Sequence, residues 1–185
     1  MIKLLITDFD GTLVNTFEAN YCAYEKAFKE AGIPFTRQDY KRCFGFRFDR
    51  FMEEMNVTDK SVTELIREAK GQYYPEYFHL IRINKPLVNL LASFRSVGGK
   101  TAVASTARKK NLMNVLSYLN LADNFDLILA GEDVQKGKPS PDIYLKVMSA
   151  LQVPPQETLI FEDSEVGFEA AKSAGVQCIK IILQQ

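Results

Sequence analysis

Apolar residues recur along this chain with two different spacings, and the change from one to the other divides it. Phe17, Tyr21, Tyr24 and Phe28 stand four, three and four residues apart, the repeat that lines one face of an α-helix, and Gly32 and Pro34 stop it. Similar periodicity runs through 40–44, 48–55 and 62–78, with turn residues at Gly45 and at 56–59. The pattern predicts an all-helical insert over residues 15–84. From Lys85 onward, helical stretches at 87–97, 111–119, 141–151 and 165–174 alternate with short aliphatic or β-branched runs at 101–104, 127–130, 158–161 and 178–183. With Leu4, Leu5 and Ile6 near the amino terminus, these runs make five strands. Near-continuous apolar strands separated by helices imply an α/β fold, a doubly wound (Rossmann-like) five-stranded parallel sheet. Its core comprises residues 1–14 and 85–185, interrupted by the insert.

Composition narrows the partners. Of the 185 residues 46% are hydrophobic, enough for a substantial core, and 23 basic residues balance 23 acidic ones. That balance carries no electrostatic footprint for nucleic acid or an anionic membrane and leaves small ligands as partners. Cys22, Cys43 and Cys178 are far apart, odd in number and outside any C-x-x-C spacing, which points to reduced thiols. No stretch resembles a signal peptide or approaches the roughly 18 apolar residues of a membrane span, so the expected protein is soluble, unprocessed and cytoplasmic. The number of subunits is left open. The short end at Gln185, without a further helix, leaves open whether one sheet edge is exposed for a partner.

Chemistry gathers at the strand ends. A parallel sheet collects its carboxyl ends on one edge, where open α/β sheets bind ligands. The first strand runs into Asp8-Phe9-Asp10-Gly11, two like charges whose proximity is unfavourable unless a cation or a proton neutralises them. The second ends at Ser105 and Thr106; the third leads to a loop with Lys136 and Gly137-Lys138-Pro139-Ser140-Pro141-Asp142; the fourth meets Glu162-Asp163-Ser164. Carboxylates from two strands can hold a hard divalent ion, a hydroxyl beside main-chain amides can bind phosphate oxygens, and a lysine can neutralise both. Plainer roles compete. A strand-terminal serine is often a helix cap, and Asp142 after Pro141 suits the first turn of a helix, where its charge favours the dipole. Gly167 and Gly175 suit packing and capping, His79 a structural or exposed place in the insert, and the aromatic stripe the insert's own core.

In this order, the motifs D-F-D-G-T-L at 8–13, the strand-terminal Ser105, G-K-P-S-P-D at 137–142 and F-E-D-S at 161–164 resemble the haloacid dehalogenase superfamily. The resemblance spans essentially the whole chain. The insert after the first motif resembles the small helical cap of the phosphatase and sugar phosphomutase branches. By this resemblance Asp8 is the nucleophile that forms an aspartyl phosphate, and Asp10 is the general acid and base whose main-chain carbonyl ligates Mg2+. Asp8 and Asp163 complete the protein ligands, and Glu162 either joins them or orders the ion's waters. Ser105 and Thr106, with amides near Phe9 and Asp10, hold the phosphate oxygens. Lys138 pairs with Asp8 and the transferring group.

The resemblance implies a magnesium-dependent phosphatase acting on a small phosphorylated metabolite. The cap branch places substrate contacts just after the first motif and at the Phe46-Arg47-Phe48 turn, which nominates Asn20 and Arg47; Arg108 matches a basic position in relatives. Asn20 stands where the phosphomutases carry a histidine that assists proton transfer, which favours hydrolysis over a beta-phosphoglucomutase-type isomerisation. A dehalogenase fits poorly because that branch lacks the second aspartate represented here by Asp10. A receiver-type signalling domain fits poorly because it has no helical insert. A catalytically silent binding or regulatory protein of the same fold would be marked by loss of a motif carboxylate or lysine, and none is lost.

Overall fold

The aliphatic runs pair in parallel, as their continuous burial requires. The computed structural model describes residues 1–183; Gln184 and Gln185, the end on which the question of the sheet edge turns, lie outside the described residues. Its strands are β1 (Leu4–Thr7), β2 (Val14–Asn15), β3 (Arg82–Ile83), β4 (Lys100–Ala104), β5 (Leu127–Leu129), β6 (Thr158–Glu162) and β7 (Gln177–Lys180). Its helices are α1 (Phe17–Glu30), α2 (Arg37–Cys43), α3 (Phe48–Glu54), α4 (Lys60–Tyr73), α5 (Lys85–Ser96), α6 (Lys109–Tyr118), α7 (Asp142–Leu151) and α8 (Glu165–Ser173). Two compact units emerge: Met1–Asn15 with Ile83–Gln185, and Thr16–Arg82.

In the larger unit five strands form one parallel sheet in the order β5-β4-β1-β6-β7. The chain builds outward from β1 to β5, then returns to the other side of β1 for β6. Right-handed crossovers then send α5 and α6 to one face and α7 and α8 to the other. Period-two alternation puts Leu4 and Ile6 of β1, Ala102 and Ala104 of β4 and Ile160 of β6 in one buried cluster with Tyr144, Val147, Ala170 and Ala171 of α7 and α8. Leu5, Val103 and Phe161, of opposite parity, are buried as well, so both faces of the sheet are covered. The direction of building reverses between β1 and β6, which opens a crevice at their carboxyl ends.

The smaller unit has an aromatic core. Phe17 and Phe28 of α1 pack with Tyr40, Phe51 and Ile66, and Tyr21 and Tyr24 lie against them. Phe28 stacks on Phe35 at 4.4 Å between ring centroids, and Tyr24 meets Phe51 edge-on at 4.9 Å. Thr36 and Asp39 cap α2 reciprocally, and Asp59 caps α4.

Several boundaries differ from the periodicity, each for a local reason. The stretch 62–78 divides: α4 ends at Tyr73, and Pro75 opens a tighter 3-10 segment over Tyr74–Leu80. Helix α5 starts two residues early because Asn84 caps it, accepting from the Leu87 N–H with Pro86 in the first turn. Strand β7 stops at Lys180 because its partner β6 ends at Glu162, whose carbonyl takes a last bond from the Ile181 N–H at 2.7 Å. No described helix is long and apolar enough to cross a membrane, and all three cysteines are free thiols.

Removing the ring of Phe28, fully buried and stacked, is expected to cost about 3–5 kcal/mol. Chemical denaturation of Phe28→Ala against the parent measures it; a loss below about 1 kcal/mol would show that the site collapses around the gap.

Candidate active site

Four charged side chains meet in the crevice between β1 and β6. Asp8 follows β1 and keeps the parity of Leu4 and Ile6, so its carboxylate turns toward the layer that holds α7 and α8. Its N–H bonds to the Phe161 carbonyl of β6 at 2.9 Å, which ties the start of the loop to the neighbouring strand. The turn that follows closes tightly: the Phe9 carbonyl accepts from the amides of Thr12, Leu13 and Val14, and the Gly11 N–H reaches Val14 O at 2.8 Å. Gly11 has φ +92°, a conformation that glycine adopts without strain. Asp10 lies in this turn, partly exposed, with its backbone bridged to Val14.

Lys138 reaches this site from the loop before α7 and is almost wholly buried. Its ammonium donates to Asp8 Oδ1 at 2.6 Å, to the Ala104 carbonyl at 3.1 Å and to Glu162 Oε1. An ammonium has three protons, and each has an acceptor here. The neighbouring Lys136, by contrast, is exposed.

Glu162 is the last residue of β6 rather than the first of the loop, and this changes its role. It shares the parity of Ile160, so its fully buried carboxylate points back under the sheet. Oε1 accepts from Lys138 and from the Tyr144 hydroxyl at 2.8 Å; Oε2 accepts from the Asp163 and Ser164 amides and the Ser164 hydroxyl at 3.1–3.2 Å. Five donors fill the acceptor capacity of a carboxylate. Gly167 leaves room for it: a Cβ there would lie 2.0 Å from the Glu162 carboxyl carbon. Asp163 turns the other way and accepts from the Thr12 hydroxyl at 2.8 Å.

The electrostatics follow from burial. Burial works against the Lys138 charge, but the Asp8 and Glu162 carboxylates outweigh it and hold the ammonium well above the usual lysine range. Burial pushes Glu162 up, and Lys138 more than reverses this, leaving it ionised. Asp8 is raised well above its ordinary value, first by burial and then by the Glu162 charge, which together exceed the help from Lys138. Burial likewise lifts Asp163 to about 6, against the Thr12 hydrogen bond. One ammonium faces three carboxylates, and Asp8, Glu162 and Asp163 each offer an oxygen within 4.8 Å of the others. An all-oxygen donor set with excess negative charge fits a hard divalent cation such as Mg2+. Because the Glu162 oxygens are already occupied, Asp8 and Asp163 are the carboxylates better placed to hold it.

The remaining expected residues divide. Ser105, buried at the end of β4, accepts from the Ala107 N–H at 3.0 Å, as a capping serine does; a hydroxyl that accepts there can still donate to an anion. Thr106 follows it. Arg108 occupies the N-cap position of α6 at the surface without a side-chain cap bond and lies 3.5 Å from Glu132, so it comes with a carboxylate partner. Asn20 is buried on α1 and Arg47 precedes α3, both in the smaller unit. Asp142 lies in the first turn of α7, as expected of a helix-start acid. Sequence reading missed Tyr144, Thr12 and the Ala104 carbonyl. Thr12 lies inside the first motif and could have been singled out; Tyr144 reads only as an apolar position of an amphipathic helix.

Comparison with known proteins gives the family and agrees with the fold. The family described as haloacid dehalogenase-like hydrolase matches residues 5–181. The chain is 31% identical to a phosphorylated carbohydrates phosphatase of Thermotoga maritima, over 96% of this chain and 84% of that protein. It is 28% identical to the beta-phosphoglucomutase of Bacillus subtilis, over 97% and 83%. Among solved structures, CbbY from Rhodobacter sphaeroides in complex with phosphate superposes with a TM-score of 0.88 at 28% identity, covering 100% of this chain and 88% of that one.

Two substitutions test the buried charges. Lys138→Met strands Asp8 and Glu162 without a counter-charge and is expected to lower stability by about 3–5 kcal/mol in denaturant titration. Gly167→Ala drives a methyl group into Glu162 and is expected to cost about 1–3 kcal/mol, read as a lowered midpoint. A parent-like midpoint for Lys138→Met would mean that the pair is solvated.

Proposed function

Because the chain belongs to the haloacid dehalogenase-like hydrolase family, we propose that it is a cytoplasmic, magnesium-dependent phosphatase of small phosphorylated metabolites, working through an aspartyl phosphate on Asp8. The observation that carries this reading is the buried Asp8–Lys138 pair, 2.6 Å long, set beside two further carboxylates at the switch point of the sheet. A carboxylate is a poor nucleophile toward a phosphate dianion, and here it is positioned beside a fixed cation.

A carboxylate oxygen of Asp8 forms the new bond to phosphorus as the ester P–O bond breaks. Asp10, protonated, gives its proton to the leaving oxygen and, now a carboxylate, takes one from the water that attacks the aspartyl phosphate; phosphate leaves and Asp8 is regenerated. Asp8 reacts as the carboxylate: burial and the Glu162 charge raise it, while Lys138, 2.6 Å away, and a bound cation would favour its ionised form. Lys138 keeps Asp8 oriented and balances charge on the transferring group. Ser105, Thr106 and the amides of the loop after β1 hold the phosphate oxygens. Asp8 and Asp163, with the Asp10 carbonyl, would hold Mg2+, which when bound offsets the repulsion between carboxylate and phosphate.

The relatives' names favour a phosphorylated carbohydrate as substrate, and Arg108, Arg47 and Asn20 are the candidates to contact its leaving group. Asn20 supports hydrolysis. A phosphomutase is the second reading, suggested by the relative of that name; it requires an isomerised sugar phosphate as product in place of free phosphate.

Asp8→Asn is expected to reduce phosphate release from a generic ester by at least about a thousandfold without loss of the folded state, followed by circular dichroism. Chelation should abolish the parent's activity and added Mg2+ should restore it. Activity that survives either treatment would overturn the mechanism.

A further inference from the structure

Tyr144 touches the charged cluster, yet the reaction above makes no use of it. It is fully buried on α7, and its ring packs with Leu4, Ile6 and Ile160, a volume that phenylalanine would fill equally well. Its hydroxyl is committed within the charged cluster. It donates to Glu162 Oε1, the oxygen that also accepts from Lys138, and the Lys138 ammonium lies 5.1 Å from the centroid of the same ring. Burial holds the phenol well above its ordinary titration range, so it stays a donor.

We propose that Tyr144 is a positioning residue for Lys138, acting through Glu162: the hydroxyl shares Glu162 Oε1 with the ammonium while the ring backs it, so that Lys138 is held toward Asp8. The direction of the effect follows from the hydrogen-bond inventory. The three Lys138 protons are divided among Asp8, Ala104 and Glu162. The Oε2 side of Glu162 is fixed by three donors at the start of α8, and Gly167 closes over the carboxyl group, so the residue cannot withdraw. Without the tyrosine proton, Oε1 keeps Lys138 as its sole donor and draws the ammonium toward itself, at the expense of Asp8. A phenylalanine at 144 would thus preserve the packing and lose the alignment. Outer residues that orient reacting groups in this way typically matter by about 10–100-fold in rate.

The kinetic part of this proposal rests on the phosphatase reading; the structural part does not. Tyr144→Phe is compared with the parent in two measurements. In 15N-labelled protein the buried ammonium of Lys138, assigned by its loss in Lys138→Arg, is expected to give a slowly exchanging signal that shifts and broadens in Tyr144→Phe. With a generic phosphate ester and Mg2+, kcat is expected to fall about tenfold while KM stays within about twofold. An unmoved Lys138 signal overturns the proposal whatever the kinetics, because Tyr144 would then only fill space. A shifted signal with unchanged kcat also overturns it, since the alignment would have no consequence. A parent enzyme that releases no phosphate marks the failure of the phosphatase reading instead, and the ammonium signal still decides whether Tyr144 holds Lys138.

Discussion

The structure turns on one buried ammonium. Moving a lysine out of water is expensive, and Lys138 is tolerated only because two carboxylates and a carbonyl take its three protons. Those acceptors come from three different strands: Asp8 follows β1, Ala104 ends β4 and Glu162 ends β6. The lysine therefore joins the carboxyl ends of three adjacent strands, and the strand order decides which ends those are. Had the chain continued outward after β5, the β6 end would lie elsewhere and Lys138 would lack its second carboxylate.

The same ammonium divides the acids. Glu162, saturated with donors, is a fixed anion that serves the lysine; Asp163 accepts from the Thr12 hydroxyl through Oδ1. Asp8 sits between them, raised by the very charges that surround it. Three like groups thus differ in their surroundings, one saturated with donors, one bonded to a single hydroxyl and one paired with the ammonium, so hydrogen bonding rather than residue type separates them.

Much of this was legible in the sequence, for physical reasons that also explain the gaps. Short aliphatic runs and helical repeats identified the five strands and most helices, and the D-x-D after an aliphatic run located Asp8, because local pattern reports local structure. Roles that depend on distant partners were not legible. Glu162 read as a loop acid because nothing near it announces that β6 extends to include it, that Lys138 lies 24 residues earlier, or that Tyr144 is 18 residues away. The Thr12–Asp163 bond spans 151 residues. Arg108 was nominated as a substrate contact with no partner in view, because Glu132, 3.5 Å from it, lies 24 residues on in the chain. The stretch 62–78 read as one periodic run because the apolar spacing continues on both sides of Pro75.

Asn84, described above as a helix cap, has a wider consequence. Its side chain donates to the Thr12 carbonyl at 2.9 Å and its N–H to the Leu13 carbonyl at 3.0 Å, so the point where the chain re-enters the larger unit is bolted to the loop it left from. The sheet with its charged crevice is thus closed at its own interruption, by residues that all belong to it. The seam between the two stretches of the larger unit is a clasp of one side-chain amide and one main-chain amide, which fixes the re-entering chain on the loop after β1.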